Sequence, residues 1–268
     1  HETLPPIALS FWRWALAGLI LLPFAWSELW AQRRLLKRHW KVLGLLGLLG
    51  VTNYNTFAYL GLQTTTATNA VLLQSITPLL ILALSVPLLG QPVRGHQVLG
   101  ILLSLAGVVA IVARGDLAGL AGLRLNRGDL WVLAAVASWA LYSVCLRWRP
   151  AELTPLSFLA ASILGGTLPL LPLYLWDLGR NGGFAVNAQS LGAVGYVALF
   201  PSLLAYLFWN RAVAELGANR TGQFMHLMPV FGALLSVALL GEHWQGFHLA
   251  GAGMIATGIW LGSRSRTT

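Results

Sequence analysis

Polar and aromatic side chains inside long apolar runs are the residues with chemistry to offer here, because each must find a partner or serve a purpose there. Trp139 stands near the middle of one run, with Ser138 beside it and Tyr142 three residues on, so the two rings share one face of a helix. Indoles at the ends of a span, such as Trp131 and Trp148, are ordinary interface anchors. A mid-span indole either packs or lines a cavity, and the paired ring favours the cavity. Asn53, Tyr54 and Asn55 are consecutive and cover more than half a helix circumference. Tyr54 or Asn55 is therefore expected to face inward, while Tyr59 reads as an interface anchor. Ser202, Tyr206 and Asn210 fall at every fourth position and form one polar stripe, the mark of a wet or protein-facing side.

His226 is the one histidine well inside an apolar run; His39, His96, His243 and His248 lie at ends or in loops. It either bonds a neighbouring backbone carbonyl or makes a substrate-carboxylate or gating contact. Arg13 lies about two turns into the first run. It either snorkels outward or caps a neighbouring helix, or it supplies a fixed positive charge at a cavity. Gly44, Gly47, Gly50, Gly258 and Gly262 permit close helix contact and carry no chemistry.

Catalytic signatures are lacking. The sequence has no His-Glu-x-x-His, no Cys/His metal spacing and no Gly-x-Ser-x-Gly, so no enzyme, metal or cofactor is expected. An intramembrane Ser–His protease, pairing His226 with Ser202, Ser75 or Ser236, is a second hypothesis, but it leaves the internal repeat described below unexplained.

Composition places these residues in a membrane. Hydrophobic types make up 57% of 268 residues and charged types 9%, against roughly 25% in a soluble domain. The mean hydropathy is +0.70. Between Val42 and Val93 there is no Lys, Arg, Asp or Glu, which leaves room for two spans. The net charge of +9 comes mostly from basic residues in short connections, so it reads as a topology signal and not as a nucleic-acid face. A single cysteine, Cys145, excludes an internal disulfide.

The elements that position these residues repeat. At an offset of 151 residues Pro78 falls on Pro229, Leu84-Ser85-Val86 on Leu235-Ser236-Val237, Leu88-Leu89-Gly90 on Leu239-Leu240-Gly241, and Gly95, Gly100 and Gly107 on Gly246, Gly251 and Gly258. The same offset sets Gln74-Ser75 on Met225-His226. Nine apolar segments can be drawn, at roughly 5–26, 40–61, 69–89, 96–113, 129–147, 155–175, 190–210, 221–240 and 246–263. Pro5-Pro6, Thr68-Asn69, Asp129 and Thr221 are expected helix starts. The repeat partner of 129–147 would precede His1, so ten spans are expected in the full protein, nine of them in this sequence with the first missing. Five spans per repeat give opposite orientations, an inverted-topology repeat. The fold class is then an all-α integral membrane protein of two inverted five-helix repeats, 1–115 and 129–263. Charge agrees: Arg33, Arg34, Lys37, Arg38, Lys41, Arg94, Arg147, Arg149, Arg211, Arg220, Arg264 and Arg266 fall on one side, and Arg114, Arg124, Arg127 and Arg180 on the other. Internal repeats of this kind are how many carriers build two alternating gates.

Pro6…Phe11-Trp12-Arg13, Pro78…Gly90…Gly100…Gly107, Trp139-Ala140-Leu141-Tyr142 and Pro229…Gly241-Glu242…Gly251…Gly258 resemble the drug/metabolite transporter superfamily, in particular its EamA-type members. The aromatic pattern looks most like the bacterial aromatic amino acid exporters. Gln91 stands where such members often carry Glu, while Glu242 keeps the acid. The resemblance implies a multi-pass protein of the bacterial inner membrane, with a monomer favoured, that exports aromatic or large neutral amino acids by alternating access. Tyr54, Trp139, Tyr206 and His226 would line a central cavity, with Ser75 and Asn210 beside them. Aromatic faces there would attract the ammonium of a zwitterion, at roughly 0.5–2 kcal/mol per contact. Arg13, Pro78, Pro229, Gly90 and Gly241 would have gating or structural roles. A multidrug exporter for lipophilic cations is the closest rival. A phosphate-sugar exchanger would want several buried Lys or Arg, and only Arg13 qualifies. Since His226 is the one group deep in a span that could change charge near neutral pH, export without obligatory proton exchange is expected.

Overall fold

Apolar runs of this length can satisfy their backbone in a bilayer only as helices or closed barrels, and in the computed structural model every element among the described residues is a helix. The structure describes residues 4–116, 126–241 and 243–263. Glu2, Arg124, Glu242, Arg264 and Arg266 lie outside the described residues. Nine long helices are described: α1 (Pro6–Ala31), α2 (residues 40–62), α3 (Ala67–Leu89), α4 (Gly95–Val112), α5 (Arg127–Trp148), α6 (Pro155–Asn181), α7 (Ala188–Leu216), α8 (Ala218–Leu239) and α9 (Gly246–Ser263). A short helix, Arg33–Arg38, joins α1 to α2.

Seven of these, all but α2 and α9, are long and apolar enough to cross a membrane. The other two of the nine expected segments do form helices, but α2 is diluted by Thr52, Asn53, Asn55 and Thr56, and α9 by five glycines and His248. Helix ends also depart from expectation. α1 continues to Ala31 past the end of its apolar run, and α3 starts at Ala67 because Thr66 accepts the Asn69 amide as an N-cap. α8 starts at Ala218, behind Gly217 at φ 82°.

The 151-residue offset reappears in the backbone. Thr77–Leu89 recurs as Met228–Leu240, and Gly95–Val112 as Gly246–Ser263. α2 and α7 each contain a π-helical turn, at Leu48–Asn53 and Leu199–Leu204, again 151 apart. Pro78 and Pro229 both stand in the first turn of their helical segments, where a missing N–H is harmless. Gly90 and Gly241 both close those segments in the left-handed conformation, φ 64° and 71°, which glycine adopts without a Cβ penalty.

The helices group into two compact units, His1–Leu60 with Cys145–Glu215, and Gly61–Val144 with Leu216–Thr268. Each unit draws helices from both the N-terminal and the C-terminal part of the chain. In the first unit α1, α2, α6 and α7 bury Trp14, Ala17, Leu21, Phe158, Leu159 and Ile163. Gly47 and Gly166 let α2 and α6 meet backbone to backbone: a Cβ on Gly47 would lie 2.7 Å from the Ser162 carbonyl oxygen. In the second unit α4 packs on α9. A Cβ on Gly100 would come 2.5 Å from the Gly258 oxygen, and one on Gly107 2.6 Å from the Gly251 oxygen. Residue numbers rise along one helix as they fall along the other, so the two are antiparallel. Small residues are what permits such close approach in lipid, and Val108, Ile111, Ile255 and Ile259 close the core beside them.

Candidate functional site

Each unit holds a buried polar cluster, formed in the first at Pro201 and two π turns and in the second at the helix break before Pro78. In the first unit Pro201 cannot donate to the Val197 carbonyl one turn back, and the Ser202 hydroxyl donates to it instead at 2.7 Å. Ser202 also accepts from Arg13 Nε, while Arg13 Nη2 donates to the Pro201 carbonyl at 2.9 Å and Nη1 to the Tyr59 hydroxyl at 2.7 Å. Arg13 is only 6% exposed. It does not snorkel, and it secures the π turn of α7. Tyr59, expected as an interface anchor, is half-buried and holds this guanidinium, because α2 sets its hydroxyl against α1. The Arg13 guanidinium carbon lies 5.1 Å from the Trp14 ring centre, and Trp14 in turn meets Tyr206 edge-on at 4.9 Å.

The π turn of α2 is served in the same way. The Gly50 carbonyl accepts from the Tyr206 hydroxyl and from Asn55 Nδ2 at 3.2 Å, and Asn55 also donates to the Tyr206 oxygen at 3.3 Å. Thr52 donates to the Gly166 carbonyl at 2.6 Å, and Ser10 pairs with Thr56 at 2.9 Å. Ser202, Tyr206 and Asn210 are all buried, so the whole stripe faces protein. Of the neighbouring pair, Asn55 is buried and Tyr54 half-buried.

In the second unit Pro78 leaves the Gln74 carbonyl without its helical donor, and the Thr77 hydroxyl supplies one at 2.6 Å. The next carbonyl, that of Ser75, lies 2.8 Å from His226 Nε2. A carbonyl only accepts, so Nε2 carries the proton. His226 Nδ1 is 2.5 Å from Ser104 Oγ. Of the two readings of His226, this geometry is the bond to a backbone carbonyl. The Ser75 hydroxyl itself donates to Val71 O at 2.7 Å. Trp139 is buried, with its ring centre 5.2 Å from that of Tyr142.

The offset pairs Ser75 with His226 by position, but Ser104, a lone hydroxyl in an apolar run, carries no periodic signal. In the sequence Asp129 reads only as a helix start. The carboxylate is fully buried and accepts from Thr65 Oγ1, Asn69 Nδ2 and the Asn126 amide, tying the α2–α3 connection to the start of α5. Gln223 is buried with neither amide atom bonded, against Gly262. Among the described residues no group of three or more His, Cys, Asp or Glu could hold a metal.

Tyr54, Tyr206 and Asn210 thus belong to the first unit with Arg13, and Ser75, Trp139 and His226 to the second. The sequence profile described as the EamA-like transporter family matches residues 1–113 and 126–264. A protein of Bacillus subtilis (strain 168), the "Uncharacterized transporter YyaM", is 28% identical over 258 residues, 96% of this chain and 84% of its own length. A "Probable terminal-alkyne amino-acid exporter" of Streptantibioticus cattleyicolor is 25% identical, over 87% of this chain and 76% of the relative. One solved crystal structure, 22% identical, superposes with a TM-score of 0.76 over 97% of this chain and 88% of that one, a likeness of fold alone. The family and these relatives are transporters, not enzymes, and give no support to a protease. Apolar helices in number, polar groups buried among them, and a profile that covers nearly the whole sequence lead to one assignment: the chain is a multi-pass membrane protein and belongs to the EamA-like transporter family.

Proposed function

We propose that this transporter exports amino acids, aromatic or large neutral ones preferred, across the bacterial inner membrane by alternating access of two inverted repeats. The observation that carries the reading is that residues 151 apart touch each other in both polar clusters: Asn55 with Tyr206, and Ser75 with His226. Contacts of this kind, found within each unit, support a two-fold relation between the repeats. The glycine contacts are reciprocal in the same sense, since the offset turns the Gly100–Gly258 contact into Gly251–Gly107. A two-fold relation across an antiparallel helix pair would produce this pattern, which supports the inverted-repeat reading. The substrate class is supported by the name of the Streptantibioticus relative and by the stacking surface of Trp139 and Tyr142. In this reading Tyr54, Trp139 and Tyr206, with Ser75, His226 and Asn210, contact the substrate or position groups that do. Pro78, Pro229, Gly90 and Gly241 fix the helix breaks and ends about which the repeats move.

A second reading, a multidrug or other small-metabolite exporter, has its own support. The first unit carries an apolar cleft of about 340 Å³ lined by Trp12, Leu16, Tyr174, Phe184, Leu191 and Val194. Counterflow in proteoliposomes separates the two. Labelled L-tryptophan, L-phenylalanine and L-leucine should exchange, tetraphenylphosphonium should not, and Trp139→Ala should reduce exchange while leaving membrane expression intact. Exchange of the lipophilic cation alone would overturn the amino-acid reading in favour of the second.

A further inference from the structure

Arg13 sits seven residues beyond Pro6, about 10 Å along α1 at 1.5 Å per residue, within a hydrocarbon layer about 30 Å thick. Its stem is long enough to reach an interface, yet the guanidinium is turned into the first unit and buried. It is the only buried Lys or Arg among the described residues. Among the described residues every hydrogen-bond partner it has is a neutral oxygen: Ser202 Oγ, the Tyr59 hydroxyl and the Pro201 carbonyl. The Trp14 and Tyr59 rings, 5.1 and 6.0 Å from its guanidinium carbon, add attraction but no negative charge. A buried cation left without an anion is unfavourable by several kcal/mol. Securing a π turn does not require one either, since Ser202 already satisfies the Val197 carbonyl without charge.

Three of the five guanidinium N–H groups are engaged, which leaves one on each terminal nitrogen. A carboxylate accepts two N–H groups of one guanidinium side by side, and a single positive charge balances a single negative one. A phosphate dianion would want a second cation beside it. We infer that Arg13, with Tyr59 at its half-buried edge, is the docking point for the carboxylate of the transported substrate. This deepens the amino-acid reading and rests on it. Trp14 and Tyr206 then supply the aromatic wall beside the carboxylate, and release of the anion leaves the neutral hydrogen bonds that hold the empty protein together.

The test uses three probes of one shape: L-tryptophan, indole-3-propionate, which lacks the ammonium, and tryptamine, which lacks the carboxylate. Affinities are measured on the purified full chain by ligand-induced thermal stabilisation and by competition in counterflow. The wild type should bind both carboxylates at least about tenfold more tightly than tryptamine, and Arg13→Gln should remove that preference. Arg13→Lys, which keeps the charge and loses the fork, should retain part of it, and Tyr59→Phe should weaken both carboxylates together. Should Arg13→Gln not fold, Arg13→Lys decides: a preference undiminished in that variant overturns the proposal. So does an Arg13→Gln protein that still prefers carboxylates as the wild type does, or a wild type stabilised by neither carboxylate. If indole-3-propionate binds through Arg13 and L-tryptophan does not bind, the amino-acid reading fails and this site stands. If amino acids exchange with a preference independent of Arg13, the reverse holds.

Discussion

His226 touches the residue 151 positions before it: ring Nε2 lies 2.8 Å from the carbonyl of Ser75. The contact uses the main chain of Ser75, freed by the helix break before Pro78, and the side chain of His226, braced by Ser104. At these two positions, 151 apart, one residue offers an acceptor and the other a donor.

That asymmetry predicts unequal mutants. His226→Ala removes the donor to a buried carbonyl and should destabilise the protein by about 1–3 kcal/mol. Ser75→Ala deletes only a hydroxyl that bonds Val71 O one turn back, and should be close to neutral. Thermal unfolding in detergent reads both. Equal losses would mean that the Ser75 hydroxyl carries the contact.

The antiparallel crossing of α4 and α9 gives a prediction with an internal control. A Cβ on Gly251 or Gly258 would stand within 2.7 Å of facing backbone or side-chain atoms, so either Gly→Ala change must part the helices, at about 1–3 kcal/mol each. Gly253, on the same helix, has nothing within 4 Å of such an atom. Gly253→Ala should be neutral or stabilising by up to about 1 kcal/mol. A lower melting midpoint for Gly253→Ala than for Gly258→Ala would contradict the packing.

Much of this frame was legible because glycine and proline fix backbone geometry. Gly90 and Gly241 end their segments in the left-handed region, and Pro78 and Pro229 begin them, so the register of the repeat survives as the register of helices. The stripe of Ser202, Tyr206 and Asn210 was legible through its spacing, since burial of one polar helix face leaves a periodic trace. The π turns were not. Nothing in Leu48–Asn53 marks the extra residue, and only the freed carbonyls, claimed by Tyr206, Asn55 and Arg13, disclose it. The partners of Arg13 and Asp129 were equally hidden, because Arg13 reaches Ser202 across 189 residues and Asp129 reaches Thr65 across 64.

Asp129 should behave as a structural carboxylate. Its oxygens accept from Thr65, Asn69 and the Asn126 amide, and Asn126 Oδ1 accepts the Asp129 amide in return, a reciprocal cap at the start of α5. Asp129→Ala leaves three donors unmet, buried Asn69 and half-buried Thr65 and Asn126, and should cost about 1–3 kcal/mol. Thr65→Val should cost less, as one donor of three is lost. Expression level and melting midpoint rank the two. Full stability of Asp129→Ala alongside lost transport would instead assign the carboxylate to the transport cycle.

Export is expected to run down the substrate gradient without a fixed proton stoichiometry. A proton-driven exchanger needs a membrane-embedded group that changes charge during the cycle. Among the described residues the carboxylates Glu28, Asp116, Asp129, Glu152, Asp177 and Glu215 all lie at helix ends or in connections. His226 is deep in α8, but Ser75 and Ser104 already engage both of its ring nitrogens. Substrate-loaded proteoliposomes with a pH-sensitive dye inside test this directly, since efflux should proceed at equal internal and external pH and move no stoichiometric protons. A fixed ratio that disappears in His226→Ala would make that histidine the coupling group. A ratio that survives the substitution would place the coupling group elsewhere, and either result contradicts the prediction.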